Sequence, residues 1–363
     1  MTNKPSRRGT GRPEIDDQLV ALLDQLGTNE NRDQIYEILA TVAQLATDDI
    51  ARLDLKITNA ALREMRSAFR AFRPYGGVPK VTMFGSARTL PTDPLYEQAR
   101  QTARLLADQG WMVVTGAGPG IMAAGLEGAG RDHSFGINIR LPFEQSANEF
   151  IMSDPKLVTM KYFFTRKLML IKESDGFIVL PGGFGTLDEA FELLTLIQTG
   201  KAEPTPIVLL EVPGGTYWEG WSEFIEGEVK GRGLVSPSDD ALYTVTDSAQ
   251  EAADELLAFY RNYHSRRFVG DLLVMRLRHE PTEEDMRTLN AEFDDLCVTG
   301  SIEISQPLPP EVNDNDDLDK ARITFKFDRM HHARLRELIN AVNQLPSLPS
   351  ILPPPRHYQE PDA

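Results

Sequence analysis

The residues with most chemistry to offer lie in one nonapeptide, Pro181-Gly182-Gly183-Phe184-Gly185-Thr186-Leu187-Asp188-Glu189, directly after an apolar run. Its three glycines free the backbone to wrap an anion. Thr186 offers a hydroxyl where a helix should start, and Glu189 stands one turn inside. The same Thr-x-x-Glu spacing also reads as a capping box, in which the two side chains only satisfy helix N-terminal donors, and spacing alone weighs the two readings about evenly. A second segment, Thr115-Gly116-Ala117-Gly118-Pro119-Gly120, runs into Ile121-Met122. It can turn backbone N–H groups toward an anion, or simply make a tight strand-to-helix turn. Its spacing is G-x-G-x-G, not the dinucleotide G-x-G-x-x-G. The following strand ends in Asn138-Ile139-Arg140 without an acidic ribose partner, and no G-x-x-x-x-G-K-S/T loop is present, so NAD and ATP are not the natural ligands. In Phe84-Gly85-Ser86-Ala87-Arg88, Gly85 permits close approach and Ser86 and Arg88 can donate to a phosphate, although a Gly-Ser turn is more often only a turn. Arg166-Lys167 adds positive charge; taken alone, such a pair is usually a solvated helix face.

The elements that must position these residues follow from the rhythm of the chain. Apolar β-rich runs at 80–84, 111–115, 135–139, 176–180, 207–211 and 242–245 alternate with helical stretches near 95–109, 121–129, 162–173, 187–199, 217–229 and 248–263. Strands apolar on both faces and each followed by a helix predict an α/β fold, a doubly wound parallel (Rossmann-like) sheet, over residues 75–263. Ligands of such sheets sit outside the carboxyl ends of the strands, which brings the three glycine segments together. Residues 14–74 predict a helical extension of two or three helices, with Thr28 or Asn29 and Thr47 as N-caps and Asp48 and Asp49 in a first turn. It is closed by Pro74-Tyr75-Gly76-Gly77. Residues 264–345 predict a small α+β unit with strands at 272–277, 302–305 and 323–327, helices at 282–295 and 332–343, and an acidic loop at 313–319. Residues 1–13 read as a disordered tail and 346–363 as a Pro-rich one.

Composition narrows the chemistry further. With 38 Lys+Arg against 54 Asp+Glu among 363 residues, the net charge is −16, which repels a phosphate backbone. No basic, aromatic-interleaved patch offsets it, so nucleic acid and anionic membranes are not expected partners, whereas a small anion is. The single cysteine, Cys297, and the six histidines lack metal-ligand spacing, and no metal is expected. No apolar region follows the basic start, and no apolar run approaches the roughly 18 residues of a membrane span, so a cytoplasmic location is expected.

Taken together, Gly85-Ser86, Thr115 to Met122, Arg166-Lys167 and Pro181 to Glu189 resemble the LOG (Lonely Guy) family, long mislabelled as lysine decarboxylases, over residues 78–262. The resemblance implies phosphoribohydrolase chemistry: cleavage of the N-glycosidic bond of AMP or a cytokinin riboside monophosphate to free base and ribose 5-phosphate, with no cofactor. It implies Arg166 and Glu189 as catalytic residues. Gly85, Ser86, Gly116, Gly118, Gly120, Met122, Lys167, Gly182, Gly183, Gly185 and Thr186 would hold the nucleotide, in a homodimer or higher homo-oligomer. Short members carry Cys-Gly-Ser-Ser and a Gly-Gly-Gly second loop; Phe84 to Arg88 and Thr115 to Gly118 instead look like the longer bacterial branch. The competing reading is a non-catalytic nucleotide sensor, whose flanking domains transmit occupancy. A true decarboxylase would need a lysine Schiff base with pyridoxal phosphate, for which Lys167 beside Arg166 is a poor candidate.

Overall fold

Two neighbouring strands at the centre of one sheet decide where a ligand can enter. A computed structural model describes residues 9–27, 30–140 and 147–349. Its first sheet holds β1 (Lys80–Phe84), β2 (Met112–Thr115), β3 (Ser134–Ile139), β4 (Leu157–Met160), β5 (Gly176–Val179), β6 (Ile207–Leu210) and β7 (Thr244–Thr246). All seven are parallel, in the order β4-β3-β2-β1-β5-β6-β7. The chain winds outward one way from β1 and the other way from β5, so the strand order reverses between them.

The sheet is covered on both faces, as its apolar strands require. Val81, Met83, Val113, Ile178, Val208 and Leu210 pack against α4 (Pro94–Asp108), α5 (Ile121–Ala129) and α9 (Ala249–Phe259). On the other face Phe84, Val114, Phe135, Phe177, Val179 and Leu209 meet α6 (Phe163–Lys172), α7 (Phe184–Gln198) and α8 (Tyr217–Phe224). Six strands stand within one or two residues of where the sequence puts them; β4 was not foreseen. It is a four-residue edge strand with alternating burial, too short for a clear period.

The first 63 residues form a unit of their own. In it α1 (Pro13–Gln25) and α2 (Arg32–Leu45) pack through Leu23, Tyr36 and Ala40. The expected caps Thr28 and Asn29 lie outside the described residues. Thr47 caps no helix: its hydroxyl donates back to the Gln44 carbonyl at 2.9 Å, Asp48 and Asp49 fall in the turn, and α3 (Arg52–Phe72) starts later.

The C-terminal part is the expected small α+β fold, with one strand more than the sequence showed. Its antiparallel sheet runs β10-β11-β9-β8, built from β8 (Tyr263–Val269), β9 (Leu272–Leu277), β10 (Glu303–Ile304) and β11 (Ala321–Phe325). Its core packs on α10 (Glu283–Phe293) and α12 (His332–Asn343). The helix expected to reach residue 263 ends at Phe259, and Tyr263 opens β8, a strand hidden by Arg266 and Arg267. Both arginines are paired here, with Glu203 and with Asp314 and Asp316. Asn313 and Asp314, expected in a loop, close the short helix α11 (Pro309–Asp314), nucleated by two prolines at its start.

Candidate functional site

The carboxyl ends of β1 and β5 are tied edge to edge. Leu180 N donates to Phe84 O at 2.9 Å, and Ser86 N donates to Pro181 O at 3.2 Å, so two glycine segments run side by side. The third joins them through Ile121 N, which donates to Ser86 O at 3.0 Å. Gly120, at φ +67°, allows this crossing; a Cβ there would collide with the Ser86 carbonyl. The three segments surround a cleft of about 970 Å³ lined by Gly85, Ser86, Arg88, Gly116, Met122, Arg166, Gly182, Gly183, Gly185, Thr186, Glu189 and Tyr217, among others. It lies where the strand order reverses, the position such folds reserve for ligands.

One wall of the cleft is a helix start. α7 begins at Phe184 with Gly183 at its N-cap and no side-chain cap bond, and its first backbone bond is Leu187 N to Gly183 O at 3.1 Å. Thr186 is therefore the third helical residue and Glu189 the sixth, so the capping box open to the sequence is not formed. Both side chains line the cleft. The first-turn amides of Phe184, Gly185 and Thr186 are not consumed by the helix, and its dipole favours negative charge there. Gly182 leaves room for the Thr186 hydroxyl, which a Cβ would strike. Its carbonyl accepts from Tyr217 Oη at 2.8 Å, while Tyr217 N donates to Glu211 Oε2 at 3.1 Å.

The charged pair comes from α6 and α7. Arg166 Nε donates to Ile137 O at 2.9 Å, which lays the guanidinium against Gly116; a Cβ on Gly116 would collide with Nη2 and crowd Met122 Sδ. Burial pushes the Glu189 carboxyl up to about 7, against the opposing pull of Arg166 and then Lys167. Asp188 and Glu192 add to the rise.

Lys167 stands apart from the cleft lining. Its Nζ is held at 2.6 Å by Asp188 and 2.5 Å by Glu192. Gly118 and Gly120 shape the cleft from behind: the Gly118 carbonyl accepts from Asn148 Nδ2 at 2.9 Å, and a Cβ on Gly118 would crowd the Met122 methyl.

Two supporting residues escaped the sequence reading. Tyr217 opens the helix after β6, a position marked only by strand order. Glu64, near the middle of α3, accepts from Lys161 N at 2.9 Å and Thr165 Oγ1 at 2.6 Å, fixing the turn that leads to Arg166, and no motif announces it. Among the described residues, no group of three or more His, Cys, Asp or Glu is placed to hold a metal, and no helix is long and apolar enough to cross a membrane.

Comparison with known proteins bears on this arrangement. A family model described as "Possible lysine decarboxylase" matches residues 119–256. The chain is 40% identical over 101 residues to the probable cytokinin riboside 5′-monophosphate phosphoribohydrolase LOGL3 of Oryza sativa subsp. japonica, covering 28% of this chain and 46% of that protein. It is 38% identical over 91 residues to LOG1 of Arabidopsis thaliana, covering 25% and 41%. It thus spans less than half the length of these plant relatives. With the cytokinin riboside 5′-monophosphate phosphoribohydrolase of Mycobacterium tuberculosis it shares 30% identity over 162 residues, 44% of this chain and 83% of that one. Among solved structures, the molybdenum cofactor carrier protein of Chlamydomonas reinhardtii overlaps 50% of this chain and 99% of its own, at 20% identity and a TM-score of 0.36. The mycobacterial alignment covers most of that protein, and the family model spans Arg166 and the loop from Pro181 to Glu189: the chain belongs to the LOG family of cytokinin riboside 5′-monophosphate phosphoribohydrolases.

Proposed function

We propose that the protein hydrolyses the N-glycosidic bond of a nucleoside 5′-monophosphate, AMP or a cytokinin riboside monophosphate, releasing the base and ribose 5-phosphate. One observation carries the reading: a carboxyl raised to about 7, Glu189, shares a cleft with Arg166 at the open N-terminus of α7. The names of the curated relatives point the same way.

The roles follow from the chemistry of the bond. The amides of Gly185 and Thr186, with the Thr186 and Ser86 hydroxyls, cradle the 5′-phosphate, while Gly85, Gly182 and Gly183 keep the backbone close to it. Gly116 and Met122 wall the nucleoside, with Gly118 and Gly120 supporting that wall from behind. As the C1′–N bond breaks, its electron pair leaves with the base and positive charge grows on the ribose. The Glu189 carboxylate stabilises that charge, takes a proton from the water that bonds to C1′ and passes it to the departing base anion, which leaves neutral. A pKa near the working pH suits a group that must accept and return a proton. Arg166, pinned by Ile137, offers its donor fork to the phosphate or the departing base. Lys167 serves at one remove, by holding Asp188 and Glu192 and tempering the Glu189 carboxyl. A Schiff-base lysine needs a lowered pKa; burial alone would lower that of Lys167, but Asp188 and Glu192 hold it above the ordinary range.

The test is chromatography of AMP and isopentenyladenosine monophosphate incubated with the protein and with Glu189→Gln. Base release from the wild type that vanishes in the variant, with nucleotide binding retained, is expected. Unchanged release in the variant would overturn the assignment of Glu189. Binding without release by the wild type would replace the hydrolase with a nucleotide sensor.

A further inference from the structure

At the other end of the sheet from the cleft, the second halves of α6 and α7 and the first strand of the C-terminal sheet enclose a groove of about 630 Å³. Leu168, Phe177, Leu196, Tyr260 and Arg266 are among its walls. Arg266 is the unusual member. It is 91% buried, leaving 9% of its surface exposed. Its Nε donates to Glu203 Oε2 at 3.0 Å and its Nη2 to Ala202 O at 3.2 Å, while Nη1 is buried with no hydrogen-bond partner among the described residues. A buried guanidinium calls for a full set of acceptors. Among the described residues, the only carboxylate bonded to it belongs to a side chain that is itself 65% exposed, on the short stretch after α7. Such a pair is weakly held, because water competes for the carboxylate. Lys201 adds positive charge at the rim, whereas the Asp175 carboxyl is turned to Lys80 N at 3.0 Å.

We propose that this groove is a second ligand site, for an oxyanion, phosphate or carboxylate, carried on an apolar or aromatic body. Arg266 binds the anion, Glu203 is the resident carboxylate that the ligand displaces, and Leu168, Phe177 and Tyr260 receive the apolar part. The groove is lined by the second halves of the helices that carry Arg166 and Glu189, at the far end from the cleft.

The experiment is saturation-transfer NMR titration of phenyl phosphate and, separately, benzoate against wild type, Glu203→Gln, Arg266→Met and Leu168→Trp. Removing the Glu203 charge frees Arg266 and tightens binding on the order of tenfold, a gain that a site in the nucleotide cleft would not show. Arg266→Met abolishes binding. Leu168→Trp, at an exposed position on the groove wall, blocks it without touching the guanidinium and serves if Arg266→Met does not fold. The better-bound probe tells a phosphate from a carboxylate ligand. No saturable binding to Glu203→Gln, or binding indifferent to Leu168→Trp, overturns the proposal.

Discussion

Arg166 Nε and the Ile137 carbonyl are joined at 2.9 Å, so the arginine of α6 is held by β3 rather than left to swing with its own helix. Glu64 clamps the same helix start through Lys161 N and Thr165 Oγ1. A guanidinium fixed at both its stem and its helix presents its fork in one orientation, which is what recognition of a phosphate or a departing base requires.

The first expectation concerns Gly116, the surface on which that fork rests. A methyl group at this position collides with Nη2 of Arg166 and crowds Met122 Sδ. Gly116→Ala should lower kcat for base release about a hundredfold, the scale of a misplaced catalytic group. Folding should survive, since overpacking of this kind costs about 1–3 kcal/mol. Near wild-type turnover in a folded variant would show that the seating of Arg166 on Gly116 does not matter.

Glu189 sets the second, which is a matter of sign. Its folded pKa of about 7 lies above the ordinary 4.5, because burial favours the neutral acid. The folded state therefore holds the proton more tightly than the unfolded chain. The resulting stabilisation is complete below pH 4.5 and is lost as pH rises through 7. Glu189→Gln should gain thermal stability over wild type at pH 8 but not at pH 5, by at most about 3 kcal/mol. Catalysis has the opposite slope: kcat/KM of the wild type should climb through an acid limb near pH 7, as the carboxylate forms. Equal wild-type and variant melting temperatures at pH 8 would contradict the raised pKa.

How much of this was legible beforehand differs between sheet and site. The central strands could be read because Val81, Met83, Ile178 and Val208 are buried without relief, and such runs have few other uses. The glycine segments were legible as a group, since strand-following loops must converge in a doubly wound sheet. The state of Thr186 and Glu189 was not: a helix start shifted by three residues turns a capping box into a cleft wall, and sequence locates helix ends to only a few residues. Lys167 was placed with the nucleotide because charge and proximity favoured it. Its actual partners, Asp188 and Glu192, depend on how α6 packs beside α7. β8 stayed hidden because the carboxylates that neutralise Arg266 and Arg267 lie far away in the sequence.

Lys167 separates two roles. As a direct phosphate ligand its loss would raise KM steeply; as the partner of Asp188 and Glu192 it acts on Glu189 through charge. Its removal leaves those carboxylates uncompensated and takes away a charge that lowers the Glu189 pKa. In Lys167→Met the acid limb of kcat/KM should therefore move to higher pH, with KM for the nucleotide changed less than about threefold. A KM rise of tenfold or more with an unmoved limb would put Lys167 on the substrate.

Tyr217 tests whether the loop before α7 needs an external brace. Its hydroxyl is the hydrogen-bond donor to the Gly182 carbonyl, and its own amide is fixed by the buried Glu211 at the end of β6. A chain of bonds thus runs from the sheet to the glycine loop. Tyr217→Phe deletes one neutral hydrogen bond and keeps the ring, a loss of about 1 kcal/mol, or roughly fivefold in binding. On the proposed reading the loop cradles the nucleotide in ground and transition states alike, so the loss should appear as a KM raised about fivefold with kcat nearly unchanged. A fall in kcat at constant KM would instead place the Tyr217 hydroxyl at the reacting atoms, and no change in either would mean that Glu211 and the glycine turn hold the loop without it.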